Sequence, residues 1–194
     1  MKKQLLNACC LAVLAFASVS CKKVYDDNSL APLDQAYATI PVTVTNANYF
    51  ERFYIVTANV PTASDNGNFS ITFSIPADKG KIKEITRVTT GTGGLLQIQN
   101  GTPAGASLLY NYNGMTGNAA GAVVTPGNGS NTITFTSSLA IYKTYQTRVG
   151  TAVAFIPASV GPNLQVPNQI AFYFLITLED GTTIIPPLVR VRPI

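Results

Sequence analysis

Every second residue is apolar in several short segments of this chain, and that period of two restricts it to β structure. In Ser70–Ile75 and Thr132–Thr136 the apolar residues alternate with hydroxyl-bearing ones, and in Val189–Arg192 valine alternates with arginine. Such a period sends apolar side chains to one face of a strand and polar ones to the other. No window carries a convincing helical period, so the sequence predicts an all-β protein.

Further strands are predicted between turn-forming residues. They are Ile40–Thr45, Phe53–Val60, Ser107–Tyr112 and Thr151–Ile156. The segment Ile170–Leu178 is apolar at almost every position, which predicts a central strand covered on both faces. Ten of the fifteen glycines fall in residues 91 to 130, so this stretch contains more loop than strand.

Local signals predict how the strands connect. Asp180-Gly181 follows the long apolar segment and predicts a hairpin with a type I′ turn. Pro186-Pro187 interrupts the partner strand, which must therefore lie at an edge or change sheets there. The apolar period breaks near Glu84, and a β-bulge or a helical turn would account for the break.

The N-terminus predicts secretion. Lys2 and Lys3 precede an apolar stretch from Leu5 to Phe16 that is too short to span a bilayer as a stable helix. Ser18-Val19-Ser20-Cys21 follows, and it resembles the lipobox of bacterial lipoproteins. The resemblance implies cleavage after Ser20 and attachment of a lipid to Cys21. The alternative is an ordinary signal peptide with a chance cysteine.

Cleavage at this position sets the expected domain organisation. Residues 1–20 are the signal peptide, 21–39 are the lipidated cysteine and a tether, and 40–194 form a single domain. All three cysteines lie within the first 21 residues, so the domain has no disulfide and depends on its core alone. An anchored chain has no need of a membrane barrel, and the C-terminus lacks the aromatic residue expected of an outer-membrane barrel.

Two resemblances refine this prediction. Asp26 and Asp27 are similar to the acidic export signals of Bacteroidota surface lipoproteins, which implies an outer-membrane location exposed at the cell surface. A plain charged linker on a periplasmic protein is the alternative. Residues 170–194 resemble the last two strands of immunoglobulin-like domains in bacterial surface lipoproteins. The expected fold is therefore an immunoglobulin-like antiparallel β-sandwich.

Composition argues against several functions. The chain contains no histidine, which excludes Ser-His-Asp and Cys-His catalysis. Zinc sites normally use histidine or cysteine, so no metal or other cofactor is expected. After cleavage the basic residues exceed the acidic ones by only two, which does not suggest nucleic acid. Most carboxylates lie in turn-like settings, so we expect no enzyme; a two-carboxylate hydrolase is the remote alternative.

Binding is the expected class of function. Tyr110, Asn111, Tyr112 and Asn113 place two aromatic rings on one strand face with amides between them, a pattern suited to sugars. The alternative is that both tyrosines pack in the core, where the four phenylalanines Phe50, Phe53, Phe172 and Phe174 are also expected. We expect a membrane contact through the lipid, with a glycan as ligand. The alternative is a structural or adhesin-like subunit that docks on another outer-membrane protein.

Overall fold

The computed structural model describes residues 39–50, 53–91, 94–99, 112, 124–150, 154–163 and 165–194. The chain divides into two units, Met1–Asp34 and Gln35–Ile194, and every described residue belongs to the second. The signal peptide, Cys21 and most of the predicted tether therefore lie outside the described residues, and those expectations remain predictions.

Ten strands and two helices make up the described part of the chain. The strands are β1 (Thr43–Val44), β2 (Asn48–Phe50), β3 (Phe53–Ala58), β4 (Asn68–Ser74), β5 (Ile82–Thr90), β6 (Thr125–Pro126), β7 (Thr132–Ser138), β8 (Ile170–Leu178), β9 (Thr183–Ile184) and β10 (Val189–Pro193). The helices are α1 (Gly94–Gln99) and α2 (Leu139–Val149), with a single 3-10 turn at Ala77–Lys79.

The strands form two sheets that pack as a sandwich. The first sheet has the order β1-β4-β7, and the second has the order β2-β3-β10-β8-β5-β6, with β9 beside β8. Strands β4 and β7 thus share one sheet, as strands B and E do in immunoglobulin domains. Strands β5, β8 and β10 share the other sheet, as strands C, F and G do. The predicted all-β sandwich is confirmed.

One strand pair is parallel, which the antiparallel prediction missed. Strand β1 joins the first sheet beside β4, and the chain then crosses to the second sheet, where β3 runs parallel to β10. The opening strands are thereby divided between both sheets.

The core consists of the inward-facing residues of both sheets. Phe73 meets Phe174 across the sandwich at 4.8 Å between ring centroids, and Phe69 meets Phe172 at 5.4 Å. All four rings are buried. Burial of one such side chain is worth about 1.5 to 3 kcal/mol, so these pairs are a principal source of stability in a domain without disulfides.

Strand β8 is central, as its sequence predicts. It pairs with β5 on one side and with β10 and β9 on the other. Its residues alternate between buried and half-buried, so only the inner face is fully covered. The outer face is covered in part by α1, which lies against β5 and β8.

The predicted bulge is present in β5. The register against β8 shifts between Ile82 and Glu84 and again between Ile85 and Arg87. These shifts allow Ile82, Ile85 and Val88 to be buried together despite their spacing of three.

The β8–β9 hairpin forms where Asp180-Gly181 predicts it, but its turn is of another kind. Gly181 N–H donates to Leu178 O at 3.0 Å, and Leu178 N–H donates to Thr182 O at 2.8 Å. Glu179 and Asp180 are therefore the central turn residues, and Gly181 follows with a φ of 88°. This is the three-residue loop with a bulge glycine, and the type I′ prediction was wrong.

Pro186-Pro187 interrupts the last strand as predicted. Strand β9 precedes the prolines, β10 follows them, and both pair with the same side of β8. Among the described residues β9 pairs with β8 alone, so it is an edge at that point.

Helix α2 has no counterpart among the predicted elements. The Ser138 hydroxyl caps its first turn by accepting from Ile141 N–H at 3.2 Å, and Gly150 follows its last residue. Leu139, Tyr142 and Tyr145 are buried on one side. The strand predicted at Thr151–Ile156 is wrong over the residues that the structure describes, since 154–156 carry no regular structure. Of the strand predicted at Ser107–Tyr112, only Tyr112 is described, and it lies in a turn.

Candidate functional site

The structure places Tyr112 in the core, which corrects its assignment as a ligand-binding residue. Its side chain is 5 % exposed, and its ring lies 5.2 Å from the rings of both Tyr145 and Phe172. Its hydroxyl bonds to Ser137 Oγ at 2.6 Å, and burial raises the pKa of that hydroxyl well above its ordinary value. A ring enclosed in this way cannot stack on a sugar. Tyr110, Asn111 and Asn113 lie outside the described residues.

Two further tyrosines are also core residues. Tyr142 and Tyr145 are buried, and the Tyr142 hydroxyl donates to Ile156 O at 2.8 Å. Burial raises the pKa of Tyr142 as well. The Tyr142 hydroxyl thus has its hydrogen-bond partner inside the protein, and burial leaves neither ring available at the surface.

The acidic residues that the structure describes serve as turn formers or surface charges. Asp65 accepts from the Asn59 amide and the Gly67 N–H, and these bonds lower its pKa. Asp180 accepts from Thr182 N–H, which lowers its pKa likewise. Asp78 pairs with the neighbouring Lys79 at 3.3 Å. Within the described ranges no three His, Cys, Asp or Glu side chains are grouped to hold a metal ion.

Exposed aromatic residues occur instead on β2, the outermost strand of the second sheet. Tyr49 is 66 % exposed and Phe50 is 59 % exposed, and every residue of this strand is exposed. The prediction that Phe50 and Phe53 belong to the core was therefore wrong, since Phe50 is exposed and Phe53 is only half-buried and outside the core, whereas Phe172 and Phe174 are fully buried as expected. A strand at a sheet edge has a neighbour on one side only, which leaves its rings open to solvent.

The outer face of the second sheet carries a short row of aromatic and polar side chains that begins at β2. We call this row the aromatic platform and define it by Asn48, Phe50, Phe53, Gln169 and Arg190. Phe50 lies directly opposite Phe53 in the β2–β3 pair, and Asn48, two residues earlier, shares the face of Phe50. The Arg190 guanidinium carbon lies 3.5 Å from the centre of the Phe53 ring.

Contacts fix the inner part of the platform. Arg190 Nη1 donates to Gln169 Oε1 at 2.8 Å while its guanidinium covers Phe53. A planar guanidinium held by both a ring and an amide has little freedom left to lose on binding. Phe50 is the exposed ring on the neighbouring strand β2, opposite Phe53.

Tyr49 occupies the opposite side of the same strand. Its ring meets that of Tyr54, its cross-strand partner, edge to face at 5.1 Å. Since alternate residues of a strand point to opposite faces, Tyr49 is not part of the platform.

The platform has the groups that binding a polyhydroxylated ligand requires. An exposed aromatic face stacks on the apolar face of a sugar ring, and an amide both donates to and accepts from hydroxyls. The signal that could have found it is the sequence Asn48-Tyr49-Phe50, where an amide and an aromatic ring are two residues apart in a strand. The same sequence pattern also occurs in core strands. Only the position of β2 at the edge of the sheet distinguishes an exposed aromatic residue from a buried one here.

Comparison with known proteins gives no match: no family model fits the chain, and neither a curated protein nor a solved structure is significantly similar to it. None of the helices in the described residues has the length and apolar character needed to cross a membrane. The fold class therefore rests on the strand order described above.

Proposed function

We propose that this protein is a non-catalytic lipoprotein of the bacterial outer membrane, anchored through Cys21, that binds polysaccharide at the aromatic platform. The observation that carries the proposal is the exposed ring of Phe50, on the same strand face as Asn48 and opposite Phe53, whose ring the Arg190 guanidinium covers. Stacking supplies affinity, and the amide supplies hydrogen bonds to sugar hydroxyls.

Affinity electrophoresis tests this proposal. The full-length protein, solubilised in a neutral detergent, is run through native gels that contain a panel of neutral and acidic polysaccharides. We expect one or more of them to retard the wild type. Phe50→Ala should lose the retardation, because its ring supplies most of the stacking surface.

Tyr49→Ala is the matched control. Both positions are exposed aromatics on β2, but Tyr49 points away from the platform. We expect Tyr49→Ala to migrate like the wild type. Equal losses in both variants, or no retardation of the wild type by any polysaccharide, would contradict the proposal and favour docking on another outer-membrane protein.

A further inference from the structure

Strands β2, β3, β8 and β10 contain basic but no acidic residues, and the sequence between β2 and β3 adds one residue of each charge, Glu51 and Arg52. Arg190 and Arg192 both belong to β10, and their positions in register with Ile55 and Thr57 place them on one face. None of β2, β3, β8 and β10 contains an acidic residue. The acidic residues that the structure describes are Asp65, Asp78, Glu84, Glu179 and Asp180, which lie in turns or on β5.

Among the residues that the structure describes, Arg192 has no acidic partner. Arg192 is half-buried, so part of the residue is open to solvent. A guanidinium presents its N–H groups as a planar fork, and the fork matches the two oxygens of a carboxylate. An external carboxylate could therefore pair with Arg192 without displacing an acidic side chain of the described residues.

The separation between Arg192 and Phe50 fits an extended ligand. Phe50 pairs with Phe53, and Arg192 pairs with Thr57 four residues further along β3. Four residues of strand span about 13 Å, and β2 and β10 are two strand spacings apart, or about 10 Å. A chain of several linked sugars could contact both residues while passing Arg190.

From this arrangement we infer that the polysaccharide is anionic and carries carboxylates, as a polymer of uronic acids does. Phe50 stacks on one sugar ring, and Arg192 receives the carboxylate of another. This inference rests on the proposed function, and it adds the chemical class of the ligand and the residue that selects it.

The test compares polygalacturonate with the same polymer after its carboxylates are methyl-esterified. The full-length wild type should be retarded by polygalacturonate and much less by the ester. Arg192→Gln should need about ten times more polygalacturonate for equal retardation, and Arg192→Lys should fall in between because it keeps the charge and loses the fork. Lys143→Gln removes one positive charge from the exposed side of α2 and should behave like the wild type. Circular dichroism and thermal melting check that each variant is folded.

The outcomes separate this inference from the proposed function. Equal retardation by both polymers, with Arg192→Gln unchanged, would overturn the anionic ligand and leave polysaccharide binding intact. Retardation by neutral polysaccharides alone would likewise overturn the anionic ligand and leave polysaccharide binding intact. Dextran sulfate is the control for charge, because it is anionic but has no carboxylates. Equally strong retardation by dextran sulfate would show general charge attraction and would overturn the inference that carboxylates are recognised. No retardation of the wild type by any polymer would overturn both proposals.

Discussion

At the scale of single residues, tyrosine hydroxyls are buried in the core of this protein together with their rings. Tyr112 and Tyr142 each bond inside the protein, to Ser137 and to the Ile156 carbonyl. The sequence around an aromatic residue flanked by asparagines is the same whether the residue faces a ligand or the core. Which of the two it faces depends on neighbours from distant strands, and for Tyr112 these neighbours are Phe135 and Phe172.

Tyr112→Phe should destabilise the domain by about 1 to 3 kcal/mol, because it leaves the buried Ser137 hydroxyl without its partner. Urea unfolding followed by circular dichroism measures the change. The folded variant should bind polysaccharide as the wild type does. Unchanged stability together with lost binding would mean that the Tyr112 hydroxyl faces a ligand rather than the core.

Alkaline pH should unfold the protein through the same groups. Burial raises the pKa values of Tyr112 and Tyr142 above the ordinary value of 10.0. The protonated hydroxyls are favoured in the folded state, so their contribution to stability is complete below pH 10 and declines above it. In urea titrations between pH 8 and 12, the double variant Tyr112→Phe/Tyr142→Phe should lose less stability with rising pH than the wild type. Parallel curves for the two proteins would contradict this.

At the scale of elements, strands were predictable and the longer helix was not. Alternation in Ser70–Ile75 or Thr132–Thr136 is a direct consequence of a sheet with one buried face, so those strands stand where the sequence predicts them. Helix α2 was missed because its Thr and Tyr residues have strand propensity. Its signals were the cap at Ser138 and the glycine at position 150.

Loss of the α2 cap should be measurable. Ser138→Ala removes the oxygen that accepts from Ile141 N–H and should cost about 1 kcal/mol of unfolding free energy. Thr144→Ala is the control, since Thr144 is exposed within the helix and only bonds back to Ala140 O. Denaturant unfolding of both variants makes the comparison, and equal stability of the two would argue against the cap.

The turn before β4 depends on a glycine. Gly67 has a φ of 67°, and a Cβ added there would lie 2.2 Å from Asn59 O. Gly129 has a similar φ of 74° but open space around it. Gly129→Ala should cost about 1 to 2 kcal/mol from backbone strain alone, and Gly67→Ala should cost clearly more. Similar thermal melting curves for both variants would contradict the close approach at Gly67.

At the scale of the whole molecule, a domain without disulfides depends on aromatic packing between two sheets, and its edge strand β2 leaves its aromatic side chains exposed to solvent. The class of fold followed from sequence because alternation, turns and Asp180-Gly181 are local signals. The parallel pair of β3 with β10 and the exposure of Phe50 did not, because both depend on which distant strands become neighbours.

Attachment of the whole molecule to the membrane through a lipid on Cys21 is a further prediction. Cys21→Ala should abolish incorporation of labelled fatty acid and release the protein from the membrane fraction of cells. Labelling of the variant equal to that of the wild type would place the lipid elsewhere, and a labelled wild type is the positive control.

Hydroxyl-radical footprinting, with and without saturating polysaccharide, tests the central claim most directly. We predict that oxidation of Phe50 falls on binding, while oxidation of the exposed residues Tyr49 and Val166 does not change. Protection confined to Tyr49 or Val166, with Phe50 oxidised equally in both states, would contradict binding at the aromatic platform.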